Sequence, residues 1–445
     1  MNNMDMSDNF FYGTIPSAFF TPTTTPIINF NENLLTGTIP VDLGVVSGLT
    51  ELLVADNFLT GTFPAILTQQ SQMVSIDLSD NFLTGTIPAG LGTLRDLRVL
   101  YTYQNHMTGT IPADLGNCTS MYYFIINTNY YTGTLPASLG QWSTVAYFEV
   151  QQNLFSGPLP AEYGNMRNAY LIDIAHNSFT GTLPTTFSAL SEVAFFVFDN
   201  NFLSGTIAES IFAGMTNIYQ LNIGANAFTG TVPSSLGSVP RLQYCNFFSN
   251  EFTGTLPESI GNLDYLQFLF FYENRLTGPI PNSYGGLVYI EQLYLNANYI
   301  SGTIPEALCS VLYVQFFDLG DNFLSGTVPK ILSNTYYLLS VMLDNNFLSG
   351  NLDGLFNHQI QLRLLTIVLN DNKFTGTIPG EVFRLPSLNS FTAVNNCLQG
   401  TIPSEVCEAR MMVSFSLDGA SSAKACRKTL FPGVLKSYVA QHPLE

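Results

Sequence analysis

The chain has 445 residues, only 10% of them charged, and 32 acids against 14 bases leave a net charge of −18. That balance excludes nucleic acid as a partner, because such binding draws on Lys and Arg neutralising phosphates, and it disfavours an anionic membrane surface. The longest strongly apolar runs, such as Val193–Phe198 and Leu266–Tyr272, are far too short to span a bilayer.

In chain order, the polar opening Met1-Asn2-Asn3-Met4-Asp5 has no signal-peptide character and already sits in a strand position of a repeat. Glycine then recurs every 24 residues from Gly13 through Gly37, Gly61, Gly85, Gly109, Gly133, Gly157 and Gly181 to Gly205. A step of 25 leads to Gly230, steps of 24 to Gly350, one of 26 to Gly376 and one of 24 to Gly400. Four residues before each of these 17 glycines stands an asparagine, from Asn9 and Asn33 to Asn372 and Asn396.

The period has a physical reading. Alternating apolar positions ahead of the Asn, as in Leu52-Leu53-Val54 or Ile76-Asp77-Leu78, predict a short half-buried strand. The Asn turns the chain inward, where its amide can pair backbone groups of adjacent coils that burial would otherwise leave unsatisfied. Leu83–Pro88 shows the next part, Leu-Thr-Gly-Thr-Ile-Pro, and Ala89-Gly90-Leu91-Gly92 closes the coil. Each coil buries its apolar edge only against its neighbours, so stability is quasi-one-dimensional.

The pattern LxxLxLxxNxLTGTIPxxLGxL resembles the plant-specific class of leucine-rich repeats, and its near-constant Gly-Thr-Ile-Pro is most similar to algal and diatom versions, receptor-like or secreted. The resemblance covers residues 1–403. It implies an α/β repeat: a right-handed solenoid with a parallel β-sheet on its concave face and a short second sheet around Thr-Gly-Thr. It further implies an extracellular or cell-surface recognition module, not an enzyme, that takes a peptide, glycan or protein ligand without a cofactor.

Towards the end, Val413–Leu417 is in phase for one more strand, with Ala420 where Asn is due. Ser421–Val439 is irregular, and His442–Glu445 has the look of another coil opening. Residues 404–445 are expected to continue into further sequence, since terminal repeats normally carry polar caps. Of six cysteines, Cys118, Cys245 and Cys309 lie more than two coils from any other, so they cannot pair within the chain. Cys245 falls on an inward position, which predicts a buried thiol. Cys397, Cys407 and Cys426 can form at most one bridge. Asn117-Cys118-Thr119 is a lone glycosylation sequon.

Catalytic and metal-binding constellations are missing from the sequence. His106, His176, His358 and His442 are scattered, and no zinc-type spacing or GxSxG elbow occurs. About 15 acids fall in strand phase and are expected to form a solvated acidic face.

Strand phase sends the residues six, four, two and one before each Asn out of the concave sheet. They include Tyr101, Tyr103, Tyr123, Tyr147, Phe195, Tyr244, Phe248, Phe268, Phe270, Tyr272, Tyr294 and Phe316. Acids alternate with them, among them Asp77, Glu149, Asp173, Asp199 and Asp318, and no Lys or Arg holds any of these positions. Aromatic rings beside acids predict a surface for a neutral sugar or a cationic peptide. An anionic polysaccharide would need Ca²⁺ to bridge it.

A second array flanks the repeat glycines. Thr60/Thr62, Thr84/Thr86, Thr108/Thr110 and Thr132/Thr134 predict two hydroxyl columns facing solvent. This lattice, interrupted at Pro158, Pro279 and Asn351, resembles the ice-binding face of β-solenoid antifreeze proteins. The alternative reading is therefore a structural, surface-shaping or ice-binding protein, with self-association open to either.

Overall fold

The computed structural model describes residues 3–20, 25–409 and 411–417. One coil shows how the repeat is built. Val99–Tyr101 forms a three-residue strand, Asn105 turns the chain, and His106–Gly109 forms the second strand. Pro112 then holds extended backbone ahead of the 3₁₀-helix Ala113–Asn117. The middle residue of the first strand points inward and is fully buried, as at Leu100, Phe124, Phe148 and Phe196. Its two neighbours are only half-buried, which is the period-2 signature of a sheet with one open face.

The asparagines form the expected ladder. Asn57 Nδ2 donates to the carbonyls of Val54 and Ala55 in its own coil and of Phe30 in the preceding one, at 3.3, 3.0 and 2.9 Å. Its Oδ1 accepts from the Leu35 N–H of the preceding coil at 3.0 Å. One buried side chain thus pairs four backbone groups across two adjacent coils.

The residue before each asparagine is left-handed in all 17 coils, from Asp8 at φ 55° to Asn395 at φ 54°. This conformation is best tolerated, apart from glycine, by Asn and Asp, which hold eight of the 17 positions. The repeat glycine has two reasons to be there. Gly109 has φ 80°, and a Cβ on it would lie 2.5 Å from Thr86 Cγ2 of the preceding coil.

The chain divides into two compact units, Met1–Thr229 and Gly230–Glu445. In the first unit, strands from Met4–Asp5 to Gln220–Asn222 pair in parallel without a register slip, as in Leu52↔Ile76 and Phe124↔Phe148. The only α-helix among the described residues, Ser210–Ala213, lies in the coil lengthened to 25 residues. In the second unit, strands from Tyr244–Asn246 to Ser414–Ser416 pair in the same way, as in Leu269↔Leu293 and Phe391↔Phe415. Each unit also carries short parallel strands at the repeat glycine, such as Leu34–Thr38 at Thr-Gly-Thr and Phe323–Thr327 at Ser-Gly-Thr.

Cys118, Cys245 and Cys309 are buried free thiols, and burial pushes Cys118 and Cys309 up to about 12. Cys397 is disulfide-bonded and Cys407 is an exposed free thiol. Cys426, Ala420, Ser421–Val439 and His442–Glu445 lie outside the described residues. Among the described residues no helix is long and apolar enough to cross a membrane.

Candidate recognition surface

The inner strands present their first and third side chains on the open face of the sheet, except at buried Asn246 and Ser340, and the residue two places past a strand, such as Tyr103 or Tyr272, stands beside them. In the first unit this brings Tyr101, Tyr103, Tyr123 and Tyr147 into one run of rings. Tyr101 meets Tyr103 at 5.9 Å and Tyr123 edge-on at 6.1 Å, and Tyr123 stacks on Tyr147 at 5.0 Å. The run continues through Tyr170 at 5.8 Å, Phe195 at 5.5 Å and Tyr219 at 5.6 Å. Tyr122 joins it edge-on against Tyr123 at 4.6 Å.

Tyr122, Tyr170 and Tyr219 did not emerge from strand phase because they stand one residue before the strand. There the backbone N–H is already bonded to the previous coil, as Tyr170 N donates to Ala146 O at 2.8 Å. Their shared repeat position was the available signal.

In the second unit, Tyr244, Phe248, Phe268, Phe270, Tyr272 and Tyr294 form a single cluster. Phe270 stands at its centre, 5.5 Å from Tyr244, 6.2 Å from Phe268, 6.5 Å from Tyr272 and 5.0 Å from Tyr294. Phe248 stacks on Tyr272 at 5.1 Å. Asp318 lies beside Tyr294 by strand register, while Phe316 is paired with Gln292.

The predicted rings are all half-buried, since each leans on its neighbours. They combine lateral packing with a partly open surface, and packing fixes their orientation before any ligand arrives.

The acids differ from the expectation of a solvated face. Asp173 and Asp318 sink between coils, each accepting a bond from the N–H two residues on, Ala175 at 3.0 Å and Gly320 at 2.9 Å. Burial, reinforced by neighbouring Asp199 and Glu149, pushes Asp173 up to about 7. Burial, with Asp344 and Asp321 nearby, raises Asp318 to about 6. Burial also raises Asp77, against the lowering effect of Ser79, whose N–H and hydroxyl donate at 3.1 and 2.6 Å. Asp199 accepts from Asn200 and Asn222 at 2.7 Å each. The physical reason is the ~4.8 Å spacing of coils, which leaves a short carboxylate flanked on both sides by the next side chains.

Glu149, one methylene longer, accepts from Gln151 at 3.2 Å. Among the described residues no group of His, Cys, Asp or Glu is arranged to hold a metal ion.

The second array lies on the short strands. Thr60, Thr62, Thr84, Thr86, Thr108, Thr110, Thr132 and Thr134 are all exposed. The column ahead of the glycine uses its hydroxyls internally: Thr60, Thr84 and Thr108 donate to the Gly37, Gly61 and Gly85 carbonyls at 3.2, 3.1 and 3.3 Å.

Comparison with known proteins gives a consistent picture. The family model described as Leucine Rich Repeat matches residues 72–94, 241–263 and 289–311. A search of curated protein sequences finds no match. Among solved structures, the chain is similar to a TDR receptor, with 25% identity and a TM-score of 0.88 over 96% of this chain and 74% of that one. It is also similar to the LRR ectodomain of the Arabidopsis receptor kinase HAESA, crystallised with an N-terminally extended IDA peptide hormone. There the identity is 29% and the TM-score 0.84, over 93% of this chain and 69% of the other. The plant peptide hormone receptor RGFR1, in complex with RGF2, matches at 25% identity and TM-score 0.76 over 94% and 78%. Repeat, fold and neighbours together show the plant-type leucine-rich-repeat fold, and it is to proteins of that kind that the chain is similar.

Proposed function

We propose that the chain is an extracellular or cell-surface recognition module that binds an extended, cationic peptide on the open face of its inner sheet. The observation that carries this reading is the coexistence of packed aromatic rings and carboxylates on strands that hold no Lys or Arg. A peptide cation gains from both, through the ring faces and through the acids. A ligand's carboxylate would find no counter-charge at these positions. Structural neighbours whose names include peptide hormone receptors add support. A glycan ligand is the competing occupant.

The test is calorimetric titration of the purified chain with a panel of peptides that differ only in Lys/Arg against Gln, beside neutral oligosaccharides. Saturable binding to the basic peptides, lost in Phe270→Ala/Tyr272→Ala, is the expected result. Binding of acidic peptides alone, or of sugars alone, would discard it.

A second reading rests on the threonine columns. Hydroxyls tied to glycine carbonyls fix one rotamer in coil after coil, and such regularity suits a lattice such as ice or a structural surface. It predicts ice-recrystallisation inhibition that disappears when Thr84 and Thr86 are replaced by Tyr and survives Phe270→Ala/Tyr272→Ala.

A further inference from the structure

A feature outside both surfaces stands at the turn that leads into each inner strand of the second unit. Nine residues before the ladder asparagine, successive coils carry Tyr265, Tyr289, Tyr313 and Tyr337. Their rings stack in one column at 6.4, 5.8 and 5.5 Å, with interplanar angles of 2°, 20° and 25°. Arg363 continues the column, its guanidinium 6.0 Å from the centre of the Tyr337 ring, and Arg241 holds the same repeat position at the other end. One residue earlier in these coils stand Asp264, Val288, Leu312, Tyr336 and Leu362. The named apolar residues other than Tyr337 are 42–64% exposed.

This exposure has no role in the fold. The same position in the first unit carries Asp96, Ser120, Thr144, Asn168 and Glu192, in turns like those that hold Tyr265, Tyr289 and Tyr337. The ridge leaves on the order of 700 Å² of apolar side chain open, more than the largest patch of a typical monomer and close to the area each partner gives to a stable dimer. Stacked face to face, the rings offer edges and hydroxyls to solvent, so they cannot lay a flat face against a sugar.

We infer that this tyrosine ridge is a self-association surface, joining two copies of the chain antiparallel about a twofold axis at Tyr313. Charge selects the register. A twofold axis midway between Tyr289 and Tyr313 would set Arg241 against Arg363 of the second copy, like on like. Moving it to Tyr313 sets Tyr289 against Tyr337 and brings Arg363 over Tyr265 and Asp264, twice per dimer, while Arg241 meets the neutral Ser387 position. A twofold contact is self-complementary, and this register meets that condition for charge.

Sedimentation equilibrium of the full chain across the micromolar range tests this. A dimer is expected, with dissociation at least ~10-fold easier in Arg363→Glu and in Asp264→Arg, and with affinity restored in the double variant, which reverses both contacts. Restoration also shows that the single variants fold. In a Cys407→Ser background, Tyr313→Cys should form a covalent dimer on mild oxidation and Tyr265→Cys should not, because only residues at the axis bring their Cα atoms within ~7 Å. A chain that stays monomeric at every concentration, or a dimer indifferent to these substitutions, would overturn the inference.

Discussion

The two units build their interiors alike and differ in what they show at the strand-entry turn. The buried positions follow one rule in both: Asn153 and Asn298 make the same bonds, to Ile126, Val150 and Gln151 in one case and to Phe271, Leu295 and Asn296 in the other. At the turn, Ser120, Thr144 and Asn168 in the first unit are replaced by Tyr289, Tyr313 and Tyr337 in the second. Polar residues fill the same repeat position in the first unit, so the coil does not require the tyrosines. A side chain that the fold leaves free and the sequence makes large and apolar is evidence of a contact outside the chain.

The strongest way to break this comparison is through the ladder. Asn153→Ala and Asn298→Ala should each destabilise by roughly 3–5 kcal/mol, because a buried N–H, of Tyr131 or Leu276, loses its side-chain acceptor and three carbonyls each lose one of two donors. Denaturant midpoints would check it, and a large difference between the two variants would show that the interiors are not equivalent.

The carboxylates come next. Asp173 in the first unit has its folded value raised to about 7, and Asp318 in the second to about 6. For a raised acid the stabilising contribution is full below the unfolded value near 4 and is lost as pH rises through the folded value. Asp173→Asn should therefore raise stability at pH 8 by on the order of 2 kcal/mol and leave it unchanged at pH 3.5. Asp318→Asn should act in the same direction with a window ending about one unit lower, as thermal melts against pH would show. Binding of a cationic peptide should run the other way, weakening as pH falls through about 7 to 6, since the cation needs the ionised acids.

Glycine sharpens the comparison at smaller scale. Gly133→Ala faces φ 77° and Thr110 Cγ2 at 2.8 Å, whereas Gly302→Ala faces φ 82° and Pro279 Cβ at 3.2 Å. Both should lose about 1–2 kcal/mol, with Gly133→Ala the worse, since the clash adds to a shared backbone strain. The smallest effect belongs to the turns: Tyr289→Thr should change monomer stability by about 1 kcal/mol or less, the value of a surface ring contact.

Much of this was legible in the residues. The Asn and Gly spacing located the coils, the inward and outward sides of Val99–Tyr101, and the ladder, because a repeat of constant length repeats its local physics. The rings at Tyr123, Tyr147, Phe270 and Tyr294 were found by strand phase alone. The state of Asp173 was not, since an acid on an open face reads as solvated until its flanking side chains are in place. Tyr122, Tyr170 and Tyr219 escaped for a related reason: they lie outside the strand, in a turn whose direction no period-2 pattern specifies.

The sequence by itself determined the coil, its parallel stacking and the buried hydrogen-bond ladder, because each depends on interactions within one repeat or with the adjacent one at fixed spacing. Tertiary structure alone decided which carboxylates are sheltered, which threonine hydroxyls are already committed, and which turn residues meet as a stacked ridge. Those depend on the few ångströms between neighbouring coils, and stacking sets that distance only once the coils are folded against one another.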